Sequence, residues 1–266
     1  MKIRAVIFDW AGTLADFGSR APVAALENLF ASAGVPITDA EARQSMGIAK
    51  KDHIQAILLI PRVHAAWVAQ HGMTAGEYQI ERLYERFIPA QIHALEEHSR
   101  LIPGVVDAAA RMRSRGIRIG TNTGYNREML DVLLERAAAQ GFVPDSAVCP
   151  DDVPAGRPFP WMCYLSAIRL RAYPLWTCVK IGDTPADIEE GRNAGMWTIG
   201  VTRTGNEIGL SEEEWAAFNE AAQAQRLDLA RERLIAAGAH YTAPSAAECD
   251  SLLDEIQTRL ARGERP

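Results

Sequence analysis

Four short, mostly apolar segments constrain the fold of this chain more than any other feature. They are rich in branched side chains, each is followed by a glycine or a polar turn, and they cover residues 3–8, 117–120, 177–182 and 197–201. Helical patterns such as residues 127–140 and 185–194 lie between them. Short buried strands that alternate with helices form parallel sheets through right-handed crossovers. The sequence therefore predicts an α/β fold with a Rossmann-like, doubly wound parallel sheet as its core.

The stretch from residue 20 to residue 100 interrupts this alternation. It contains long helical patterns, including residues 21–34 and 77–98, and no segment that reads as a buried strand. A chain of 266 residues is long enough for a core domain and a smaller second domain. We therefore expect an inserted all-helical cap domain at residues 20–100, and a core domain made of residues 1–19 and 101–266.

Charge and composition exclude several classes of protein. The net charge is −6 and the basic residues are not clustered, whereas a nucleic-acid-binding face needs a basic cluster. No apolar run approaches the roughly 18 residues of a membrane-spanning helix, and the first one is too short for a secretory signal. The four cysteines lack metal-ligand spacing, which indicates reduced, mostly buried thiols. We expect a cytoplasmic protein that binds neither nucleic acid nor membranes.

Carboxylates follow two of the predicted strands. Asp9 comes directly after the first strand, and Asp183 directly after the third, with Asp187 one turn into the next helix. In open parallel sheets, ligands bind beyond the carboxyl ends of the strands. Asp9 and Asp183 could therefore share a hard cation, and Mg²⁺ suits them because it takes few carboxylates and bridges to phosphate oxygens.

The turn after the second strand, TNTGY, offers groups that can hold a phosphate. The hydroxyl of Thr121 or Thr123 could donate to it, and Gly124 could offer its backbone N–H where a helix begins. Arg157, in the segment DDVPAGRPFPW, is the only nearby cation. A guanidinium can neutralise phosphoryl oxygens and could also keep an aspartate nucleophile ionised.

These segments, in this order, resemble the haloacid dehalogenase superfamily of phosphoryl-transfer enzymes; the matching pieces are FDWAGT, TNTG, GRPFP and GDTPAD. The resemblance implies that Asp9 is a nucleophile that forms an aspartyl-phosphate. It also implies that Mg²⁺ is held by Asp9, the carbonyl of Ala11 and Asp183, with Asp187 behind them. Thr123 matches the phosphate-binding position best, with Thr121 as the other choice.

Ala11 departs from the pattern of most phosphatases in that superfamily, which carry a second aspartate at this position. That aspartate protonates the leaving alkoxide and later activates water. Without it, an ordinary phosphate ester lacks its general acid. The leaving group should therefore be one that departs without a proton from residue 11.

A lysine in the predicted cap could manage that leaving group. If residues 46–57 form one helix that runs through Gly47, then Met46, Lys50 and His53 lie within about 60° of one another, together with Ile57. Lys51 then lies on the opposite, polar side. Burial lowers the pKa of an amine and frees it to condense with a carbonyl. The periodicity equally allows Lys50 simply to lie along the edge of the core with its amine in solvent.

Within the superfamily, the chain is similar over nearly its whole length to the phosphonoacetaldehyde hydrolase (phosphonatase) family, through FDWAGT, MGIAKKDH, TNTGY, DDVPAGRPFPWMCY and IGDTPADIEEGRNAGMW. This resemblance implies hydrolysis of a carbon–phosphorus bond to acetaldehyde and phosphate, with a Schiff base on Lys50. His53 would assist imine formation and proton transfer, and Met46 and Tyr125 would line the pocket. It also implies a homodimer formed through cap helices.

Two positions depart from the phosphonatase pattern. Asn122 stands where a threonine or serine is expected, and Ser19 stands where some relatives carry cysteine. The alternatives that remain open are a Mg²⁺-dependent phosphomonoesterase of the same superfamily, acting on a small phosphate ester, and a non-catalytic phosphate-binding protein.

Overall fold

A computed structural model describes all 266 residues of the chain. Its centre is a six-stranded parallel sheet in the order β3-β2-β1-β4-β5-β6. The strands are β1 (Ala5–Phe8), β2 (Arg118–Asn122), β3 (Ser146–Val148), β4 (Cys178–Gly182), β5 (Trp197–Val201) and β6 (Tyr241–Ala243). The predicted α/β fold with a doubly wound parallel sheet is confirmed. The strand order reverses between β1 and β4, which is where such sheets bind ligands.

Helices cover both faces of this sheet. They are α6 (Val105–Ser114), α7 (Arg127–Ala139), α8 (Trp161–Arg169), α9 (Pro185–Asn193), α10 (Glu212–Ala216), α11 (Glu220–Ala236) and α12 (Asp250–Ala261). Alternate residues of β1 enter two different apolar clusters: Val6 packs with residues of α6, α7 and α12, whereas Ile7 packs with residues of α8. Strands buried on both faces are largely apolar, and β1 is apolar throughout.

Residues 21–98 contain five helices and no strand, and we call them the helical segment. Its elements are α1 (Ala21–Ser32), α2 (Asp39–Arg43), α3 (Lys50–Leu59), α4 (Pro61–His71) and α5 (Glu77–His98). The main apolar cluster is continuous from Leu26, Ile54 and Phe87 of this segment to Val6 and Trp10 of the sheet side. The helices are therefore anchored on the same core as the sheet.

One sequence prediction differs from the structure in local detail, and two strands were missed. The helix that was expected to run through Gly47 begins only at Lys50, because Gly47 has φ +95° in the left-handed region. Strands β3 and β6, of three residues each, were not predicted. All four cysteines are free and buried, which confirms that prediction. No helix is both long enough and apolar enough to cross a membrane.

Candidate active site

A small cavity lies between the carboxyl ends of β1 and β4 and the loop that precedes α3. Most of the residues predicted from the sequence line it, and these are Asp9, Ala11, Met46, Lys50, Thr123, Gly124, Tyr125, Arg157 and Asp183. Its walls also include Ser19, Pro22, Gly47 and Thr184. The cavity thus brings together groups from the sheet and from the helical segment.

Asp9 follows β1 directly and is buried. Its backbone N–H donates to the carbonyl of Ile181 at 2.9 Å, so the residue continues the pairing with β4. Its Oδ1 accepts a hydrogen bond from Nη2 of Arg157 at 2.7 Å. Burial, together with the charge of Asp187, raises the pKa of Asp9 to about 6, although Arg157 opposes the shift. Near neutral pH the carboxylate is therefore ionised and already held by one cation.

Asp183, at the end of β4, is oriented by two hydrogen bonds. Its Oδ1 accepts from the hydroxyl of Thr13 at 3.1 Å, and its Oδ2 accepts from the backbone N–H of Asn206 at 2.8 Å. Burial raises its pKa well above the usual value, and the charges of Asp9 and Asp187 add to the effect. Asp183 is fully buried without a cationic side chain bound to it, which is costly for an ionised carboxylate.

Carboxylate oxygens of Asp9, Asp183 and Asp187 lie within 4.8 Å of one another, and we call these three residues the carboxylate cluster. With Glu190, four buried carboxylates face only two buried cations that contact them, Arg157 and Lys180. If all are ionised, two negative charges are uncompensated. A divalent cation bound by oxygen ligands would supply the missing positive charge, so the residues fit such a group.

Arg157 is the centre of a buried network that the sequence predicted only in part. Its Nη1 lies 3.0 Å from Oδ1 of Asp187, and its Nε donates to Oε2 of Glu190 at 2.9 Å. Its Nη1 also donates to the carbonyl of Gly47 at 3.0 Å, in the loop that leads to α3. The guanidinium that holds Asp9 is therefore fixed from both the sheet and the helical segment.

Lys180, Glu190 and Asn122 complete this network and were missed by sequence reasoning. Nζ of Lys180 donates to Oδ1 of Asp187 at 2.7 Å and to Oδ1 of Asn122 at 2.9 Å. The side chain of Asn122 also accepts from Nη2 of Arg157 at 2.8 Å and donates to Glu190 at 2.9 Å. A lysine inside a strand predicted to be buried on both faces was the signal available, because a buried amine needs anionic partners.

Asp187 is the one member of the carboxylate cluster whose pKa is lowered. Burial opposes its ionisation, but the positive charges of Arg157 and Lys180 outweigh that effect. Its Oδ2 accepts from the hydroxyl of Thr184, the residue that caps α9, at 2.6 Å. Asp187 therefore stays ionised. Unlike Asp9 and Asp183 it does not line the cavity, and its place behind a bound cation stays a prediction.

Lys50 is the first residue of α3, and only 5% of it is exposed. Its Nζ lies 3.7 Å from Sδ of Met46 and 5.1 Å from the centre of the Tyr125 ring. Burial lowers the pKa of this amine to about 8, with Arg157 acting in the same direction and Asp9 opposing. The amine thus lies inside the cavity and not at a solvent-exposed edge of the core.

The adjacent lysine has the opposite environment. Lys51 is part-exposed, and its Nζ donates to carboxylates of Glu77 and Glu81, each at 2.6 Å. These hydrogen bonds raise its pKa. The expected contrast between a buried Lys50 and a polar Lys51 is thus present, although Met46 reaches Lys50 from the preceding loop and not from the same helix.

His53 is buried one turn after Lys50 but does not line the cavity. Its Nε2 is 2.8 Å from the carbonyl of Ala42, and its Nδ1 has no hydrogen-bond partner. Burial, with the nearby charge of Lys50, lowers its pKa to about 3. His53 is therefore neutral at pH 7, donating through Nε2 and leaving a free lone pair on Nδ1. Its part in proton transfer stays a prediction.

The two threonines after β2 are placed differently. Thr123 lines the cavity, and its hydroxyl oxygen accepts from the backbone N–H of Tyr125 at 3.2 Å. Thr121 lies within β2, where its hydroxyl donates to the carbonyl of Ser146 at 3.4 Å, in the neighbouring strand. Thr121 does not line the cavity, so Thr123 is the better placed of the two candidates, and phosphate binding by either stays a prediction.

Gly124 does not begin a helix, contrary to the prediction. α7 begins three residues later, at Arg127, and is capped by the side chain of Asn126. Gly124 instead provides a close approach, because a Cβ there would lie 2.3 Å from the carbonyl oxygen of Ile48. The loop that carries Thr123 thus contacts the loop before Lys50 through backbone atoms.

Known proteins resemble this chain over most of its length. The family model for haloacid dehalogenase-like hydrolases matches residues 3–195. The chain is 50% identical over 264 residues to a phosphonoacetaldehyde hydrolase of Hahella chejuensis, covering 99% of this chain and 90% of that protein. It is 45% identical over 257 residues to one from Bacillus thuringiensis, covering 97% of each. A crystal structure of a phosphonoacetaldehyde hydrolase-like protein from Oleispira antarctica superposes with a TM-score of 0.99 at 42% identity, covering 100% of this chain and 96% of that one.

Proposed function

This chain belongs to the haloacid dehalogenase-like hydrolases and, within them, to the phosphonoacetaldehyde hydrolase family, and we propose that it hydrolyses phosphonoacetaldehyde to acetaldehyde and phosphate. One observation carries the proposal: the cavity holds the buried amine of Lys50 and the carboxylate of Asp9 together, with Ala11 where an ester hydrolase would place an acid. Breaking a carbon–phosphorus bond needs a nucleophile for phosphorus and a sink for two electrons. The cavity offers one group for each.

Lys50 provides the electron sink. Its neutral amine attacks the aldehyde carbon, and loss of water leaves a protonated imine with a carbon–nitrogen double bond. The positive nitrogen lies two bonds from the carbon that carries phosphorus, so it can accept the electron pair of the breaking bond. Because burial lowers the pKa of Lys50 to about 8, about one amine in ten is neutral at pH 7.

Asp9 is the nucleophile in this proposal. A carboxylate oxygen attacks phosphorus in line, the carbon–phosphorus bond breaks, and its electrons form an enamine on Lys50. Water then hydrolyses the aspartyl-phosphate to release phosphate. Protonation of the enamine carbon and hydrolysis of the imine release acetaldehyde and restore Lys50. Since the leaving group is an enamine and not an alkoxide, no acid at residue 11 is needed.

The remaining groups bind and orient the substrate. Arg157, already bonded to Asp9, neutralises phosphonate oxygens, and the hydroxyl of Thr123 donates to them. Asp9, Asp183 and the Ala11 carbonyl would hold a divalent cation, with Asp187 behind them, and for this cation we propose Mg²⁺. When bound, it would compensate the charge of the phosphonate oxygens.

The amine must lose a proton after it attacks the aldehyde, and the helical segment offers an acceptor for that proton. The unpartnered Nδ1 of His53 would accept one while the imine forms. Met46 and Tyr125 keep water away from Lys50, since both are buried and approach its amine. We also propose that the protein forms a homodimer through the helical segment. Its only other partner would be the small phosphonate substrate.

Reductive trapping tests this function directly. Enzyme mixed with phosphonoacetaldehyde and a divalent cation is treated with borohydride, and the modified peptide is mapped by mass spectrometry. We expect a two-carbon adduct on Lys50, none in Lys50→Arg, and an unchanged adduct in Lys51→Arg, the matched control. Lys50→Arg should lose acetaldehyde release, because the charge remains but no imine can form.

Two results would contradict the proposal. One is an adduct on Lys51, or no adduct although substrate is consumed. The other is rapid phosphate release from a small phosphate ester with no trapping at all. That second result would instead support the phosphomonoesterase alternative.

A further inference from the structure

We propose that Arg43 is a positioning residue that holds the Lys50 side of the cavity in register with the Asp183 side. Arg43 is the last residue of α2, and its side chain is only 12% exposed. It does not line the cavity and has no part in the chemistry above. Its hydrogen bonds, however, join three separate parts of the chain.

The guanidinium of Arg43 bonds to the turn between β1 and α1 and to the loop after β5. Its Nη1 donates to the carbonyl of Gly18 at 2.9 Å and is 3.3 Å from that of Ser19. Nη1 also donates to Oδ1 of Asn206 at 3.1 Å, and Nη2 donates to the carbonyl of Gly209 at 3.1 Å. The Arg43 side chain, which belongs to the helical segment, is thus hydrogen-bonded to two loops on the sheet side.

Two of the residues that Arg43 contacts, Ser19 and Asn206, are connected directly to the cavity. Ser19 lines it. The backbone N–H of Asn206 donates to Oδ2 of Asp183 at 2.8 Å, so the loop that Arg43 holds also orients this carboxylate. On the other side, residues 44–49 alone separate Arg43 from Lys50. Arg43 therefore contacts structures that place both walls.

The surroundings of Arg43 are shaped for a guanidinium. Gly209 has φ +69°, and a Cβ there would lie 2.7 Å from Nε of Arg43, so the backbone leaves room for the planar group. Nε donates to the carboxylate of Asp39 at 2.9 Å, which holds the side chain from its own helix. A lysine is a single point charge and cannot span these acceptors as a planar fork does.

Positioning of this kind affects rate, because a displacement of about 1 Å between reacting groups can cost on the order of 100-fold. We expect Arg43→Ala and Arg43→Lys to lower kcat/KM for phosphonoacetaldehyde by about 10- to 100-fold. This kinetic test of the Arg43 variants rests on the proposed function. A second arm, hydrogen–deuterium exchange of the protein alone, does not.

Hydrogen–deuterium exchange should report the loss at both loops. In Arg43→Ala and Arg43→Lys, amides of residues 17–20 and 205–210 should exchange about tenfold faster, the effect of losing one or two hydrogen bonds. Arg62→Ala is the matched control, because Arg62 pairs with Glu41 at 2.5 Å and bonds to the carbonyl of Pro36, all within the helical segment. It should leave both loops and kcat/KM unchanged.

Wild-type exchange at either loop in Arg43→Ala would overturn the proposal, whatever the kinetics. So would exchange that is faster throughout the sheet, since this indicates general loss of stability, or full recovery in Arg43→Lys. If the wild-type enzyme does not cleave phosphonoacetaldehyde, the proposed function fails, and exchange still decides the role of Arg43.

Discussion

Replacing Met46 by glutamate should slow imine formation at neutral pH by raising the pKa of Lys50. In the wild type this pKa is lowered from 10.5 to about 8, so the rate of imine formation should rise tenfold per pH unit and level off above pH 8. An exposed lysine would keep rising to about pH 10.4. At pH 7 the lowered pKa leaves about 300-fold more neutral amine than a pKa of 10.5 would.

The size of the change in the pKa of Lys50 follows from the distance between Met46 and the Lys50 amine. Sδ of Met46 is 3.7 Å from Nζ of Lys50, so a glutamate would place its carboxylate near the amine. Two opposite charges at 4 Å attract by about 4 kcal/mol at an effective dielectric constant of 20, which corresponds to about three pKa units as an upper bound. A shift of two units already lowers imine formation at pH 7 by about 100-fold.

The assay is the rate of substrate trapping with cyanoborohydride between pH 6 and pH 10. Met46→Leu, which keeps the volume and adds no charge, is the control and should level off near pH 8 as the wild type does. A Met46→Glu profile that still levels off near pH 8 would refute the reasoning. So would a wild-type profile that is still rising at pH 9.5, because Lys50 would then behave as an exposed amine.

Three further predictions concern the sheet side of the site. Thr123→Ala should raise KM about tenfold, which is the effect of losing one hydrogen bond to a charged group, whereas Thr121→Ala should leave kcat/KM within about twofold of the wild type. A larger loss in Thr121→Ala than in Thr123→Ala would contradict the placement of the two hydroxyls. Lys180→Met should lower the free energy of unfolding by about 3–5 kcal/mol, and adding Glu190→Gln should recover part of it, as measured by urea unfolding. Removal of divalent cations with a chelator should lower the melting temperature and abolish turnover, and re-addition of Mg²⁺ should restore both; an unchanged melting temperature would contradict a cation at the carboxylate cluster.

The four strands at the centre of the sheet were predictable because each is almost entirely buried and lies in a short, largely apolar segment that ends at a glycine or a polar turn. Strands β3 and β6 were not, because three residues are too few to form a pattern, and Tyr241 at the start of β6 is only half-buried. The helix start at Lys50 also depended on something that the apolar spacing does not contain. Gly47 adopts a left-handed conformation where its backbone meets the sheet side.

Some residues of the candidate site could likewise be predicted from the sequence, and others could not. Asp9 and Asp183 could be located because they follow predicted strands, and Arg157 because it is the one cation in the segment DDVPAGRPFPW. The partners Lys180 and Glu190 could not be paired from the sequence, since the inward-facing Glu190 of α9 meets cations from two other parts of the chain, Lys180 of β4 and Arg157. Such pairs depend on how two faces pack, which a single sequence does not reveal.

The contact between Gly124 and the carbonyl of Ile48 has a consequence for how this kind of enzyme can diversify. Around it, Gly47 accepts a hydrogen bond from Arg157 through its carbonyl, and a Cβ on Gly47 would lie 2.3 Å from Oγ1 of Thr184. The contact between the loop of Gly47 and Ile48 and the loop of Gly124 thus depends on backbone atoms and glycines, and it depends little on the side chains at positions 46 and 50. Substitutions at positions 46 and 50 should therefore change what the cavity binds while they leave the contact between the two loops in place.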